Sequence, residues 1–353
     1  MKQNHITRRA FALSSIALAA FGLSSFATVA AAEPPIAKPD GKPADMSKPV
    51  QVFLIMGQSN AVGMGKVAIL EAAVKQKNKY PYLVDKDGNW VTRQDVRFVQ
   101  YMSGKGPLKN EFLGVKPGNI GVEYAVGHSL GDAIDAPVMI LKVCIGNRSL
   151  GWDLLPPGSK RFEEGDKVYA GYKDSPDSWP KGTEPKPIGW YAGKQYDDDT
   201  ADAKKVLADL GTHYPGATKC EVAGFFFWQG EKDAGNPVHS AHYEQNLVAF
   251  IKSVRKDFNA PNAKFVLATM GEATKDRTDN TGKVLEGHLA VDGASGKHPE
   301  FKGNVATVYT HDMAQGGGGN GHYGGNAEVY MDVGEAMGKA MVELLRNGGS
   351  GSK

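Results

Sequence analysis

Short, unbroken apolar runs alternate with stretches of helical periodicity along most of the chain. Val52–Met56, Val96–Tyr101, Pro137–Ile145, Val222–Trp228, Lys264–Met270 and Val305–Tyr309 are predicted strands. Lys66–Gln76, Gly121–Ala133, Asp198–His213, Ser240–Phe258 and Ala327–Leu345 are predicted helices. In the first helix Ile69, Leu70 and Val74 share one face, and in the third Val206, Leu207 and Leu210 do so. Strands that are apolar at nearly every position belong to a sheet covered on both faces, and strands alternating with helices build a parallel sheet. The pattern predicts a three-layer α/β/α domain with a doubly wound, mainly parallel sheet, in which sites form at the carboxyl ends of the strands. The connections 77–118, 146–195 and 271–303 are long and rich in Gly, Pro, Trp, Asp and Lys, as expected of functional or mobile loops.

The two ends are set apart from this pattern. Residues 1–32 read as a twin-arginine signal peptide: Thr7-Arg8-Arg9-Ala10-Phe11, an uncharged Ala/Leu/Phe-rich run, and Ala30-Ala31-Ala32 as the cleavage site. The uncharged run is just long enough to be an uncleaved anchor, but its Ser, Gly and Ala content favours a signal, with no stable membrane insertion after cleavage. This places the mature protein in a bacterial periplasm or outside the cell. Residues 33–49, with five prolines, read as a linker, 50–346 as the folded domain and 347–353 as a flexible tail. Of the 353 residues 41% are hydrophobic and 23% charged, a globular composition. Beyond residue 32 there are 38 basic against 39 acidic residues, so there is no basic field for nucleic acid. Two cysteines, Cys144 and Cys220, exclude a disulfide scaffold and a Cys-rich metal site; both are expected as inert thiols on or beside core strands.

Four segments after strands or before the last helix carry chemistry. Gly57-Gln58-Ser59-Asn60-Ala61-Val62-Gly63 follows the first strand, a place where a turn can hold a serine hydroxyl at the sheet edge; the same residues would also serve as a helix cap. Gly146-Asn147-Arg148-Ser149-Leu150-Gly151-Trp152 follows the strand at 137–145, where backbone N–H groups can approach a reacting oxygen. Gln229-Gly230-Glu231-Lys232-Asp233 follows the strand at 222–228 and offers an amide donor and carboxylates. A glycine run, Gly316–Gly319, leads to Asn320, Gly321, His322 and Tyr323 before the closing helix, with His311 and Asp312 upstream. Gly127-His128-Ser129-Leu130-Gly131 matches the G-x-S-x-G nucleophile elbow, but the residues before it read as helix, not strand. No phosphate loop, dinucleotide fingerprint or paired metal-ligand spacing is present, so no cofactor is expected.

Together these blocks resemble the SGNH hydrolases, in the branch of sialate O-acetylesterases and acetyl-xylan esterases. Gly57-Gln58-Ser59-Asn60 is similar to the G-Q-S-N block and Trp228-Gln229-Gly230-Glu231 to the W-Q-G-E block. Gly146-Asn147-Arg148-Ser149 stands where the family has G-G-T-S, and His322 at the catalytic histidine. The resemblance implies a flavodoxin-like α/β/α fold and an exported serine esterase acting on O-acetylated carbohydrate. It implies Ser59 as nucleophile and His322 as general base, a role suited to an imidazole. The oxyanion donors would be the Ser59 N–H, a backbone N–H at Gly146 or Asn147, and the Gln229 amide. Two positions depart from the family: Gly319 replaces the Asp three residues before the histidine, and Asn147 replaces the second glycine of G-G-T-S. Glu231 is then the first choice of acid for His322, with Asp312 and Asp233 as alternatives. Asn60, Trp152 and Tyr323 are expected to bind substrate, and Trp190 and Tyr191 to lie near the rim. The rivals are a lipase-like α/β-hydrolase using Ser129 and a non-catalytic carbohydrate-binding protein on an esterase fold.

Overall fold

A computed structural model describes residues 43–102, 107–314 and 319–349. The signal segment, most of the linker and the last four residues lie outside the described residues. The final part of the expected linker is docked rather than free: Lys48 Nζ holds the Asp135 carboxylate at 2.6 Å. The closing helix likewise runs to Gly349, three residues into the expected tail.

The chain opens with β1 (Val50–Gly57), α1 (Ser59–Val62) and α2 (Val67–Lys77). It continues with β2 (Thr92–Tyr101), β3 (Pro107–Gly114), α3 (Glu123–Ala133) and β4 (Val138–Val143). A three-stranded antiparallel sheet, β5 (Phe162–Glu164), β6 (Lys167–Tyr169) and β7 (Ser178–Pro180), is followed by α4 (Lys194–Ala208) and β8 (Cys220–Trp228). Then come α5 (Glu231–Ala234), α6 (Pro237–Ala241), α7 (Tyr243–Asp257), β9 (Lys264–Ala268), α8 (Asn280–Ala290), β10 (Val305–Val308) and α9 (Ala327–Gly349).

The main sheet has the order β10-β9-β8-β1-β4-β2-β3. Every neighbouring pair is parallel except β2 with β3. The chain therefore starts in the middle and winds outward both ways, the doubly wound arrangement expected. Because side chains alternate across a strand, Phe53 and Ile55 of β1 join one apolar layer with α2, α3 and α9, while Val52, Leu54 and Met56 join the other with α4, α7 and α8. Among the described residues no helix is long and apolar enough to cross a membrane. Cys144 and Cys220 are free thiols, and Cys144 is fully buried.

Two predicted helices and three predicted loops came out differently. The helix expected over 198–213 starts four residues earlier, and the one over 240–258 breaks at His242 into α6 and α7. Asn236 starts α6 as a cap, its Oδ1 accepting from the N–H groups of Val238 and His239, with Pro237 at the first helical position. The loops 77–118, 146–195 and 271–303 hold the edge strand β3, the small sheet and α8.

One polar pair fixes the sheet to the end of α1 and the start of α3. Lys142, on the central strand β4 and wholly buried, donates to Glu123 at 2.6 Å and to the carbonyl of Val62, the last residue of α1, at 2.8 Å. Glu123 in turn accepts the N–H of Gly121. Removing one member of a buried ion pair leaves the other charge without compensation. Lys142→Ala is expected to lose about 3–5 kcal/mol in equilibrium denaturation. The double variant Lys142→Met with Glu123→Leu should recover most of that loss.

Candidate active site

The carboxyl ends of the central strands deliver the site. β1 ends at Gly57, whose φ of +134° and whose contact with the Trp228 backbone leave no room for a Cβ. The N–H of Gln58 donates to the Trp228 carbonyl, so the ends of β1 and β8 are stitched together where the chain turns into α1. Ser59 is the first residue of α1 and half-buried; its N–H belongs to the first helical turn, which has no partner inside the helix.

A cleft of about 810 Å³ opens over this point. Ser59, Gly146, Asn147, Trp152, Glu231 and His322 all line it. Gly146, in the loop after β4, lies so close that a Cβ built on it would sit 3.5 Å from Ser59 Cβ. Asn147 next to it has φ +58°, a left-handed conformation. That explains why glycine suits this position and why asparagine, which tolerates the region best among the others, can replace it. His322 sits in the short turn Gly319–Gly325, also left-handed at φ 49°, and lines the cleft.

Glu231 begins α5 and is 6% exposed. Its two carboxylate oxygens are held by the amides on either side of Ser59. Gln58 donates to Oε2 in a short hydrogen bond, and Asn60 Nδ2 donates to Oε1 at 2.6 Å. Asn60 Oδ1 accepts the Tyr330 hydroxyl from α9 at 3.1 Å. Burial, reinforced by the charge of Glu272, pushes the Glu231 carboxyl up to about 7, against the hydrogen bonds that favour its charged form.

Several expected roles are corrected by the packing. Gln229 cannot serve the oxyanion: its amide gives one hydrogen to the Arg148 carbonyl at 2.9 Å and the other to Asp233 at 2.6 Å, while its Oε1 accepts from Tyr243. Asp233, offered as an alternative acid, is fully buried and spent on the N–H groups of Leu150 and Gly151, both at 2.8 Å. Together Gln229 and Asp233 pin the loop after β4 to the end of β8. Asp312 lies in an exposed turn and does not line the cleft. Asn60 is wholly buried beneath Ser59 rather than facing substrate. Tyr323 is core: it stacks on Trp228 with ring centroids 5.9 Å apart, and its hydroxyl accepts the Gly271 N–H. Trp190 and Tyr191 stand apart from the cleft, Trp190 under the Arg148 guanidinium at 4.8 Å and Tyr191 bonded to Asp197. Ser129 lies inside α3 against Gly338 of α9, with helical residues Glu123 to His128 directly before it, so the elbow geometry is absent.

The structure also adds a pair not singled out from the sequence. His239 of α6 and Asp177 line the same cleft, His239 Nε2 lying 3.2 Å from the Asp177 carboxylate. Burial pushes this imidazole down, but the Asp177 hydrogen bond and the charges of Asp233 and Asp177 outweigh it and leave it raised. The only sequence signal was the Asn236-Pro237 helix start, which aims residue 239 at the cleft. Among the described residues no group of three or more His, Cys, Asp or Glu side chains could hold a metal ion.

Comparison with known proteins gives one partial family match. Residues 177–343 match the model of the carbohydrate esterase, sialic acid-specific acetylesterase family, a span that includes Glu231, His239 and His322 and begins after Ser59. Among solved structures, a protein from Arabidopsis thaliana is 14% identical, with 84% of this chain and 98% of that chain covered and a TM-score of 0.49. NanS is 14% identical over 74% of this chain and 78% of that one, with a TM-score of 0.42. A carbohydrate acetylesterase from Xanthomonas citri is 12% identical over 86% and 57%, with a TM-score of 0.43. A comparison with curated proteins gave no match. The family match spans somewhat under half of the chain, over residues 177–343.

Proposed function

We propose that this protein removes O-acetyl groups from carbohydrates through an acyl-enzyme on Ser59, with His322 as the general base. The observation that carries this reading is that Ser59, His322 and the Gly146 backbone line one cleft at the carboxyl end of the central strands. In the proposed sequence His322 takes the Ser59 proton as Oγ attacks the acetyl carbonyl. The resulting oxyanion is met by the Ser59 N–H and a backbone N–H at Gly146 or Asn147. His322 then returns the proton to the departing sugar oxygen, and water, deprotonated by the same imidazole, releases acetate. Glu231 acts mainly as a positioning residue, because its oxygens fix the amides of Gln58 and Asn60 on either side of the nucleophile. Export through the twin-arginine route, read from residues 7–11, is part of the same proposal.

One observation favours a second assignment of the base: the Asp177–His239 pair is already hydrogen-bonded in this cleft. Single variants assayed for acetate release separate the two. Ser59→Ala and His322→Ala are each expected to lose on the order of 10³-fold or more in kcat, and Ser129→Ala to stay active. Loss in His239→Ala with His322→Ala still active would move the base to the Asp177–His239 pair. Full turnover by Ser59→Ala would end the serine reading.

Glu231 also gives stability a pH signature. A carboxyl raised from 4.5 to about 7 binds its proton more tightly in the folded protein than in the unfolded chain. Its contribution is complete below about pH 4.5 and is lost as pH rises through 7. Between pH 5 and 8 the wild type should therefore lose stability relative to Glu231→Gln, by on the order of 3 kcal/mol in denaturant unfolding.

A further inference from the structure

A second cavity, of about 490 Å³, lies beside the catalytic cleft between α7 and the small sheet β5–β7. Its volume falls in the range of small-molecule sites. The two spaces share a wall: Asp177 and His239 line both. One side of the cavity is aromatic. Phe162 and Tyr169 are directly opposed across β5 and β6, with ring centroids 5.2 Å apart and planes within 10°, and the His242 ring packs on Phe162 at 4.1 Å. His242, the N-cap of α7, joins the two sides at this end, and Gln245, Asn246 and Ala249 continue along the helix face that forms the opposite side. Aromatic side chains on one side and the Gln245 and Asn246 amides on the other suit a pyranose, which has C–H faces and equatorial hydroxyls. The helix and the small sheet are far apart in sequence, so the long 146–195 segment is what creates this space.

We infer that this side cavity is a second sugar subsite, which holds the unit next to the acetylated sugar and makes the enzyme prefer acetylated oligosaccharide over acetylated monosaccharide. The inference rests on the carbohydrate esterase reading and adds the size of the substrate to it. Asp177 and His239, at the junction, are the groups a chain crossing from one subsite to the other must touch.

The test compares two substrates in one enzyme, so that damage to folding affects both alike. kcat/KM is measured for an O-acetylated monosaccharide and for the O-acetylated trisaccharide carrying the same acetylated unit, in a sialyl and a xylosyl series. The wild type is expected to favour the trisaccharide by about tenfold or more, chiefly through KM, as for binding equal in ground and transition states. Ala249→Trp, which fills the cavity, and Gln245→Trp, at an exposed position on its rim, should each bring the ratio to within about threefold of unity. A wild type without preference, or variants that keep it, overturns the subsite. Aryl acetate cleaved in a Ser59-dependent way with no sugar ester turned over in either series also overturns it, while leaving the serine esterase standing. Aryl acetate cleavage that persists in Ser59→Ala instead counts against the catalytic reading itself.

Discussion

The buried carboxyl of Glu231 is the constraint on which the site depends. It lies under the first turn of α1 and takes one amide from each neighbour of Ser59 in the sequence. A carboxylate is worth burying only when its oxygens are satisfied, and here both are met by side chains whose own backbones straddle the serine. The two ends of β1 and β8 thus close on each other twice, once through the Gln58 N–H to the Trp228 carbonyl and once through this clasp. Tyr330 ties the clasp to α9, the helix that follows His322. Ser59 and His322 therefore reach one cleft from distant parts of the chain.

The sheet topology explains why those ends meet. Starting in the middle of the sheet and winding outward both ways places the carboxyl ends of β1, β4 and β8 side by side. Their loops carry Ser59, Gly146 and Glu231. A second polar layer, Gln229 and Asp233, then fastens the β4 loop to β8. Polar residues near the site thus divide into those that line the cleft and those that hold the liners still.

That division is what the sequence shows least. Unbroken apolar runs located β1, β4, β8, β9 and β10, and the blocks at their ends brought Ser59, Gly146, Glu231 and His322 to one cleft. Gln229, Asp233 and Asn60 have the same polar character as their neighbours, and only packing reveals that their hydrogen bonds are already spent. Tyr323 is adjacent to His322, yet it is buried in the core while its neighbour lines the cleft. Asp177 and His239 lie far apart in the chain and meet through an insertion whose small sheet has strands of three residues, too short for a periodic signal. The antiparallel edge strand β3 and helix α8 were hidden in glycine- and charge-rich segments that read as loops.

The proposed chemistry depends on a covalent bond at one hydroxyl. Incubating the protein with a serine-directed phosphonate and mapping the adduct by peptide mass spectrometry tests it. One adduct is predicted, on the peptide containing Ser59, lost in Ser59→Ala and formed with concurrent loss of acetyl ester hydrolysis. An adduct on Ser129, or hydrolysis that continues with Ser59 fully modified, would contradict it.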